Sequence, residues 1–288
     1  MLPAQIKATL SALLQKHLPA VEPAGCRLST VSGLTGESWR ISTPQHDLLA
    51  RAQSQEKSDL GVERHREAAI LRQLDAETLG PCVVLQTAGW LFVEWLEGNT
   101  VSEELWQSAQ GQVALAQMLT RLHQLPPSGY PLNLRQQLSR YWQHIDRRRL
   151  TPRWLRLHQQ FMRRALPTPL KLALVHMDIH PENLVNTTQG LRLIDWEYAA
   201  DSDIALELAA LFQGNNLSVQ QRQQLIDDYI RCGGYQDRSR LEQQITHWIP
   251  WVNYLMLMWC EVRWQQTQES RYIDWGQPLR QKLLREVP

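Results

Sequence analysis

Nothing in this chain is apolar for long enough to cross a membrane, and no internal repeat or low-complexity linker interrupts it. The first residues, Met1 to Leu18, carry Lys7 and Lys16 within an amphipathic pattern, which is not the unbroken apolar core of a signal peptide. Cysteine is scarce: Cys26, Cys82, Cys232 and Cys260 lie far apart and form no metal-type pair. They fit reduced thiols and a cytoplasmic location better than a disulfide framework. Neither sign of charge dominates, since the formal net charge is +1, and this argues against a dedicated nucleic-acid binder. What remains is a chain of 288 residues, 43% hydrophobic, able to bury a large core and of a size that suits two lobes around a cleft.

The densest chemistry lies between Leu174 and Glu197. His176-Met177-Asp178-Ile179-His180-Pro181-Glu182-Asn183 follows a short apolar run, and Asp195 ends a second run from Leu191 to Ile194. Leu184 to Asn186 and Leu191 to Ile194 pair naturally as a hairpin across Thr187-Thr188-Gln189-Gly190. Moving a phosphoryl group to an alcohol needs a carboxylate to orient the hydroxyl and take its proton, and oxygen ligands to hold magnesium on the phosphates. Asp178 is the candidate base. The four residues from Ile179 to Glu182 let the chain turn back so that the Asn183 amide oxygen reaches the metal, and Asp195 supplies the charged ligand. His176 and His180 are read as braces of the loop, and Asp203 as a helix N-cap or loop brace.

From His176 to Leu208 the chain resembles the signature of the aminoglycoside phosphotransferase and choline kinase superfamily, small-molecule relatives of the protein kinases. The resemblance implies an α+β, protein-kinase-like fold with a small β-rich N-lobe, residues 1–97, and a larger, mostly helical C-lobe, residues 98–288. Asp195-Trp196-Glu197 stands where protein kinases have Asp-Phe-Gly, and the chain runs directly on to Asp203-Ile204-Ala205-Leu206-Glu207, a helix opening on an acidic cap. No room is left for an activation segment, which argues against a protein substrate.

Under the same resemblance the N-terminal half reads as a nucleotide site. A helix is expected over Ala4 to His17, and strands over Arg27 to Val31, Trp39 to Ser42 and His46 to Ala52. Between the first two strands, Gly33, Leu34, Thr35, Gly36 and Ser38 form a loop whose backbone amides and hydroxyls suit phosphates. The kinase pattern calls for a lysine on the next strand; this chain has Arg51, which keeps the charge but is longer and planar. Its expected partner is Glu67, on a helix from Arg64 to Leu74. Strands over Val83 to Thr87 and Trp90 to Trp95 follow, with Glu94, Trp95 and Leu96 as the hinge whose main chain would bind adenine.

The rest is expected to be helical: one helix from Glu103 to His123, a basic helical stretch between Pro126 and Pro169, and a long aromatic helix from Gln244 to Gln265. Trp251, Tyr254, Trp259 and Glu261 on that helix, with Trp196 and Glu197, are candidates for the acceptor pocket, because aromatic faces beside a carboxylate attract an organic cation. Met177 in the loop, Arg51, the Asp-Trp-Glu-Tyr-Ala run and Trp248-Ile249-Pro250-Trp251 are similar to the branch of the superfamily that phosphorylates thiamine. This implies ATP and a small cationic alcohol as partners, Mg2+ as cofactor, and no nucleic-acid, membrane or obligate protein partner. A kinase for choline, ethanolamine, an aminoglycoside or another small alcohol would use the same residues. The reading from another class is an inactive nucleotide-binding scaffold, for which Arg51 is the only support.

Overall fold

The computed structural model describes residues 4–18, 26–31, 38–43 and 47–285. The loop candidates Gly33, Leu34, Thr35 and Gly36, and His46 at the head of its expected strand, lie outside these. The chain divides into two compact units, one made of Met1–Ser54, Glu63–Asn99 and Val185–Glu197, the other of Gln55–Val62, Thr100–Leu184 and Tyr198–Pro288.

The first unit is built on five antiparallel strands, β1 (Arg27–Thr30), β2 (Ser38–Ser42), β3 (Asp47–Ala52), β4 (Val83–Gln86) and β5 (Trp90–Glu94), in the order β1-β2-β3-β5-β4. Side chains alternate across a strand, so Leu48 and Ala50 of β3 join Trp39, Ile41 and Phe92 in a core closed by Leu10 and Leu14 of the helix Ala4–His17. Arg51 points the other way. Its register, opposite Ser38 on one side and Leu91 on the other, fixes it at the sheet centre. The helix Arg64–Leu74 buries Ala68, Ile70, Leu71 and Leu74 at helical spacing and carries Glu67 on the same buried face.

The second unit is mainly helical. Its two-stranded ladder pairs Leu172–Val175 with Ala200–Asp203 antiparallel, Val175 opposite Ala200 and Leu172 opposite Asp203. Asp203 then caps the buried helix Ile204–Gly214, accepting from the Ala205 amide at 3.3 Å, while its other carboxylate oxygen takes Trp248 Nε1 at 2.7 Å and Gln244 Nε2 at 2.9 Å. Trp248 and Gln244 belong to the helix Arg238–Thr267, which begins six residues before the expected Gln244, contains Pro250, and packs on Ile204–Gly214 and Ser270–Arg285. Among the described residues no helix is long and apolar enough to cross a membrane.

The structure corrects the single helix expected over Glu103 to His123. Two helices stand there, Glu103–Gln107 and Ala109–Gln124, and Ser108 divides them. The Ser108 hydroxyl donates back to Leu105 O at 2.8 Å and accepts the Gly111 amide at 3.0 Å, so one side chain closes the first helix and caps the second. A Cβ at position 111 would stand 1.8 Å from Leu105 O, so only glycine fits the corner. An apolar stripe reports a face and is blind to such a break.

Candidate phosphotransfer site

In the second unit the strand Leu172–Val175 delivers the chain into the loop His176–His180, and a 3-10 turn, Pro181–Asn183, closes it. Asn183, buried, donates from Nδ2 to Asp178 O at 2.9 Å and to Asp178 Oδ2 at 3.1 Å. This pins the Asp178 carboxylate and leaves the amide oxygen of Asn183 as the acceptor. His180 Nε2 stands 3.8 Å from the same Asp178 oxygen, and the Asp178 side chain is 40% exposed, open to a reactant. His176 is fully buried, and its Nδ1 accepts the Asp178 amide at 3.3 Å, a bracing role.

Sequence reasoning left Glu207 without a role. Its carboxylate accepts the His176 amide at 2.5 Å and the Met177 amide at 2.8 Å, holding Met177 at a φ of 69° that a side chain of this type rarely adopts. Behind it lies His123, fully buried, with Nε2 4.0 Å from Glu207 and Nδ1 2.7 Å from the Tyr229 hydroxyl. Burial, then Glu207 and Asp203, push the Tyr229 phenol up. The one available signal was a single acid inside Ile204-Ala205-Leu206-Glu207-Leu208-Ala209: a charge in an otherwise apolar helix needs a buried partner.

In the first unit Arg51 meets the expected Glu67, donating Nη1 to Glu67 Oε1, and also donates Nη2 to Asp195 Oδ1 and, at 2.8 Å, to Glu197 Oε2. A second guanidinium, Arg64, which sequence reasoning placed only at a helix start, bonds Glu67 at 2.6 Å and Glu197 at 3.0 Å. Arg66 holds the Glu197 carbonyl at 3.0 Å. Burial alone would lower Arg51, but attraction from Asp195, Glu67 and Glu197 outweighs it and holds the guanidinium above its ordinary value. Two guanidiniums facing three carboxylates leave one negative charge. Only Asp195 of these five is substantially open, with 35% of its side chain exposed, and its φ of 64° is again in the left-handed region.

The remaining candidates are placed as follows. Ser38 lies opposite Arg51 in the sheet. The Glu94 amide donates to Cys82 O and the Trp95 amide to Asp47 O, both at 2.9 Å, and the Glu94 side chain meets Arg192 at 3.0 Å; Leu96 follows, nearly buried. Trp196 is core, donating to Leu193 O at 2.9 Å and packed so closely on Gly80 that a Cβ there would stand 2.8 Å from its indole nitrogen. In the second unit Trp251 and Tyr254 are buried around Phe161, edge-on at 5.1 Å and stacked at 4.2 Å respectively. Trp259 is half-buried and donates to the Tyr198 hydroxyl at 2.9 Å. Glu261 is buried and gripped by the Arg149 fork at 2.6 and 3.0 Å, so its charge is taken up within the protein.

Comparison with known proteins gives the chain a family. The model of the phosphotransferase enzyme family matches residues 27–243. Thiamine kinase of Salmonella typhimurium (strain LT2) is 40% identical over 266 residues, and that of Salmonella paratyphi B is 39% identical, each match covering 92% of both chains. Among solved structures, a choline kinase from Streptococcus pneumoniae superposes with a TM-score of 0.77 at 17% identity, over 96% of this chain and 99% of that one. An aminoglycoside-3'-phosphotransferase of type VIII reaches 0.61 at 20% identity, over 84% and 98%. These likenesses bear out the protein-kinase-like α+β fold, and the chain belongs to the phosphotransferase enzyme family.

Proposed function

We propose that the chain catalyses ATP-dependent phosphorylation of the primary hydroxyl of thiamine, giving thiamine monophosphate and ADP. The observation that carries phosphotransfer is the Asp178 carboxylate, held by Asn183 in a loop whose backbone Glu207 clamps, yet open to a reactant. The choice of thiamine rests on relatives of that name, 39–40% identical over 92% of the chain.

In this reading Asp178 orients the acceptor hydroxyl and takes its proton as the new O–P bond forms and the bond to the ADP oxygen breaks. Asn183 and Asp195 would hold magnesium. Both offer hard oxygen donors, the Asn183 amide nitrogen being committed to Asp178, and the network around Arg51, Asp195 included, holds one carboxylate more than the guanidiniums of Arg51 and Arg64. When bound, magnesium would neutralise charge on the phosphates.

Gly33, Leu34, Thr35, Gly36 and Ser38 would cover the phosphates, and Arg51, held by Glu67, would set the charge beneath them. The amides of Glu94 and Trp95 are used within the protein, which makes Leu96 the hinge residue to receive adenine. The N-lobe, residues 1–97, would thus supply nucleotide contacts and the C-lobe, residues 98–288, the base and the acceptor pocket. For the thiazolium ring the half-buried Trp259 is the best-placed of the aromatic candidates; Trp251 and Tyr254 would support the pocket from the core, as Trp196 and Glu197 support Asp195.

The test is ADP release by purified protein with ATP and magnesium, against thiamine, choline, ethanolamine and kanamycin. Thiamine-dependent release is expected, falling by at least about a thousandfold in Asp178→Asn while nucleotide binding survives. Release with another alcohol would move the substrate and keep the site. A folded Asp178→Asn with near-normal turnover would refute the base.

A further inference from the structure

One cleft in the second unit carries chemistry that phosphotransfer leaves unused. Its volume is about 370 Å3, and Arg149, Glu261, Gln277, Arg280 and Gln281 line it, with Leu284 on the apolar wall. None of these is assigned above to the base or the magnesium, and Glu261, expected from the sequence in the acceptor pocket, is instead taken up by Arg149.

The charges in the cleft do not balance. Arg149 closes a two-pronged bond on Glu261. Arg280 donates to the Arg149 carbonyl at 3.2 Å and lies over the Trp154 ring at 4.5 Å, and among the described residues it forms no ion pair. Asp146 also attracts Arg149, but it already accepts the Arg148 backbone amide at 2.9 Å and the Arg148 guanidinium twice at 3.1 Å. Three guanidiniums therefore share two carboxylates, and the surplus positive charge sits at Arg280. Burial depresses the Arg280 guanidinium, Glu261 counters in part, and the like charge of Arg149 adds to the depression. An anion entering the cleft would offset the desolvation cost by direct attraction and screen the repulsion between Arg280 and Arg149. Gln277 and Gln281, one helical turn apart on the exposed face of Ser270–Arg285, supply neutral amide donors beside the charge.

We propose that this cleft binds the phosphate group of a small molecule, with Arg280 meeting the charge and Gln277 and Gln281 donating to the remaining oxygens. A planar guanidinium presents paired donors that match a phosphate, and the volume leaves room for an apolar substituent against Leu284. The site does not depend on the kinase reading.

Isothermal titration of the nucleotide-free full chain at fixed ionic strength tests it, with inorganic phosphate and phenyl phosphate as probes. Binding is expected in the wild type and should weaken on the order of tenfold in Arg280→Gln, with most of it restored in Arg280→Lys. Tighter binding of phenyl phosphate would mark an organic phosphate as the ligand, and equal binding would mark free phosphate; both support the site. Gln281→Glu, at an exposed position that leaves folding intact, places a carboxylate beside Arg280 and should abolish binding of both probes. No binding by the wild type, or unchanged affinity in Arg280→Gln or Gln281→Glu, would overturn the proposal.

Discussion

The two arginine clusters of this protein use the same fork of donors to opposite ends. Around Arg51 and Arg64, three carboxylates surround two guanidiniums, the surplus is negative, and the one exposed member is Asp195. Around Arg149 and Arg280, carboxylates are outnumbered, the surplus is positive, and the half-buried member left over is Arg280. In each case the buried pairs are structural and the most open member, Asp195 bonded to Arg51 in the first and Arg280 in the second, belongs to the sign in excess. The lesson concerns counting: an arginine in a site says little until its carboxylates are found, because the remainder decides whether a cation or an anion is drawn there.

Breaking the first cluster should cost most. Arg51→Met removes a guanidinium that serves three acids, two of them almost wholly buried, and is expected to destabilise the fold by about 3–5 kcal/mol, read from urea unfolding. Arg51→Lys keeps the charge but cannot span three carboxylates with one ammonium. Roughly 1–3 kcal/mol should be lost, together with a rise in the KM for ATP. If Arg51→Lys were as stable as the wild type, the forked geometry would not be what holds the cluster.

In the second cluster, Glu261→Gln removes the acid that Arg149 grips and whose charge partly offsets Arg280, and about 1–3 kcal/mol of stability should be lost. The same change enlarges the positive surplus, so phosphate should bind more tightly to this variant than to the wild type. Weaker binding would mean that Glu261 positions the ligand and does not compete with it.

The smallest effect expected concerns pH. His158, stacked on Trp142 at 3.7 Å and 2.7 Å from the Tyr254 hydroxyl, is pushed by burial down to about 4. The unfolded chain protonates it near 6.5, so the folded state disfavours the proton between these values. Its contribution is complete above about pH 6.5 and falls away as the pH drops toward 4. Urea titrations across that window should show a shallower loss of stability in His158→Gln; an identical slope would exclude His158 as the source.

Much of this was legible beforehand because it is local. His176, Asp178 and Asn183 lie within eight residues of one another, so a strand and a turn suffice to bring them together, and Asp195 follows across one hairpin of the sequence. Glu67 could be chosen for Arg51 because strand register and helix face each leave one buried candidate. Arg64 and Glu197 were less accessible. They are 133 positions apart; Arg64 looks unremarkable at a helix start, and Glu197 reads as an acceptor-pocket acid and not as the partner of two buried guanidiniums. Arg149 stood in a basic run that reads as a solvated face, yet it closes on Glu261, 112 positions away. The break at Ser108 is hidden in the sequence for a different reason, since the apolar spacing continues on both sides of it.

The sequence by itself determined the family, the local spacing of the Asp178 loop and the alternation that buries each face, because these depend on residue type and on spacings of a few positions. The tertiary structure decided which charges cancel, since Glu207 beneath the loop, Arg64 beside Arg51 and Arg149 on Glu261 are pairings across separate elements. Periodicity specifies that a side chain is buried; the electrostatic outcome depends on what it is buried against, and that is fixed only when distant segments pack.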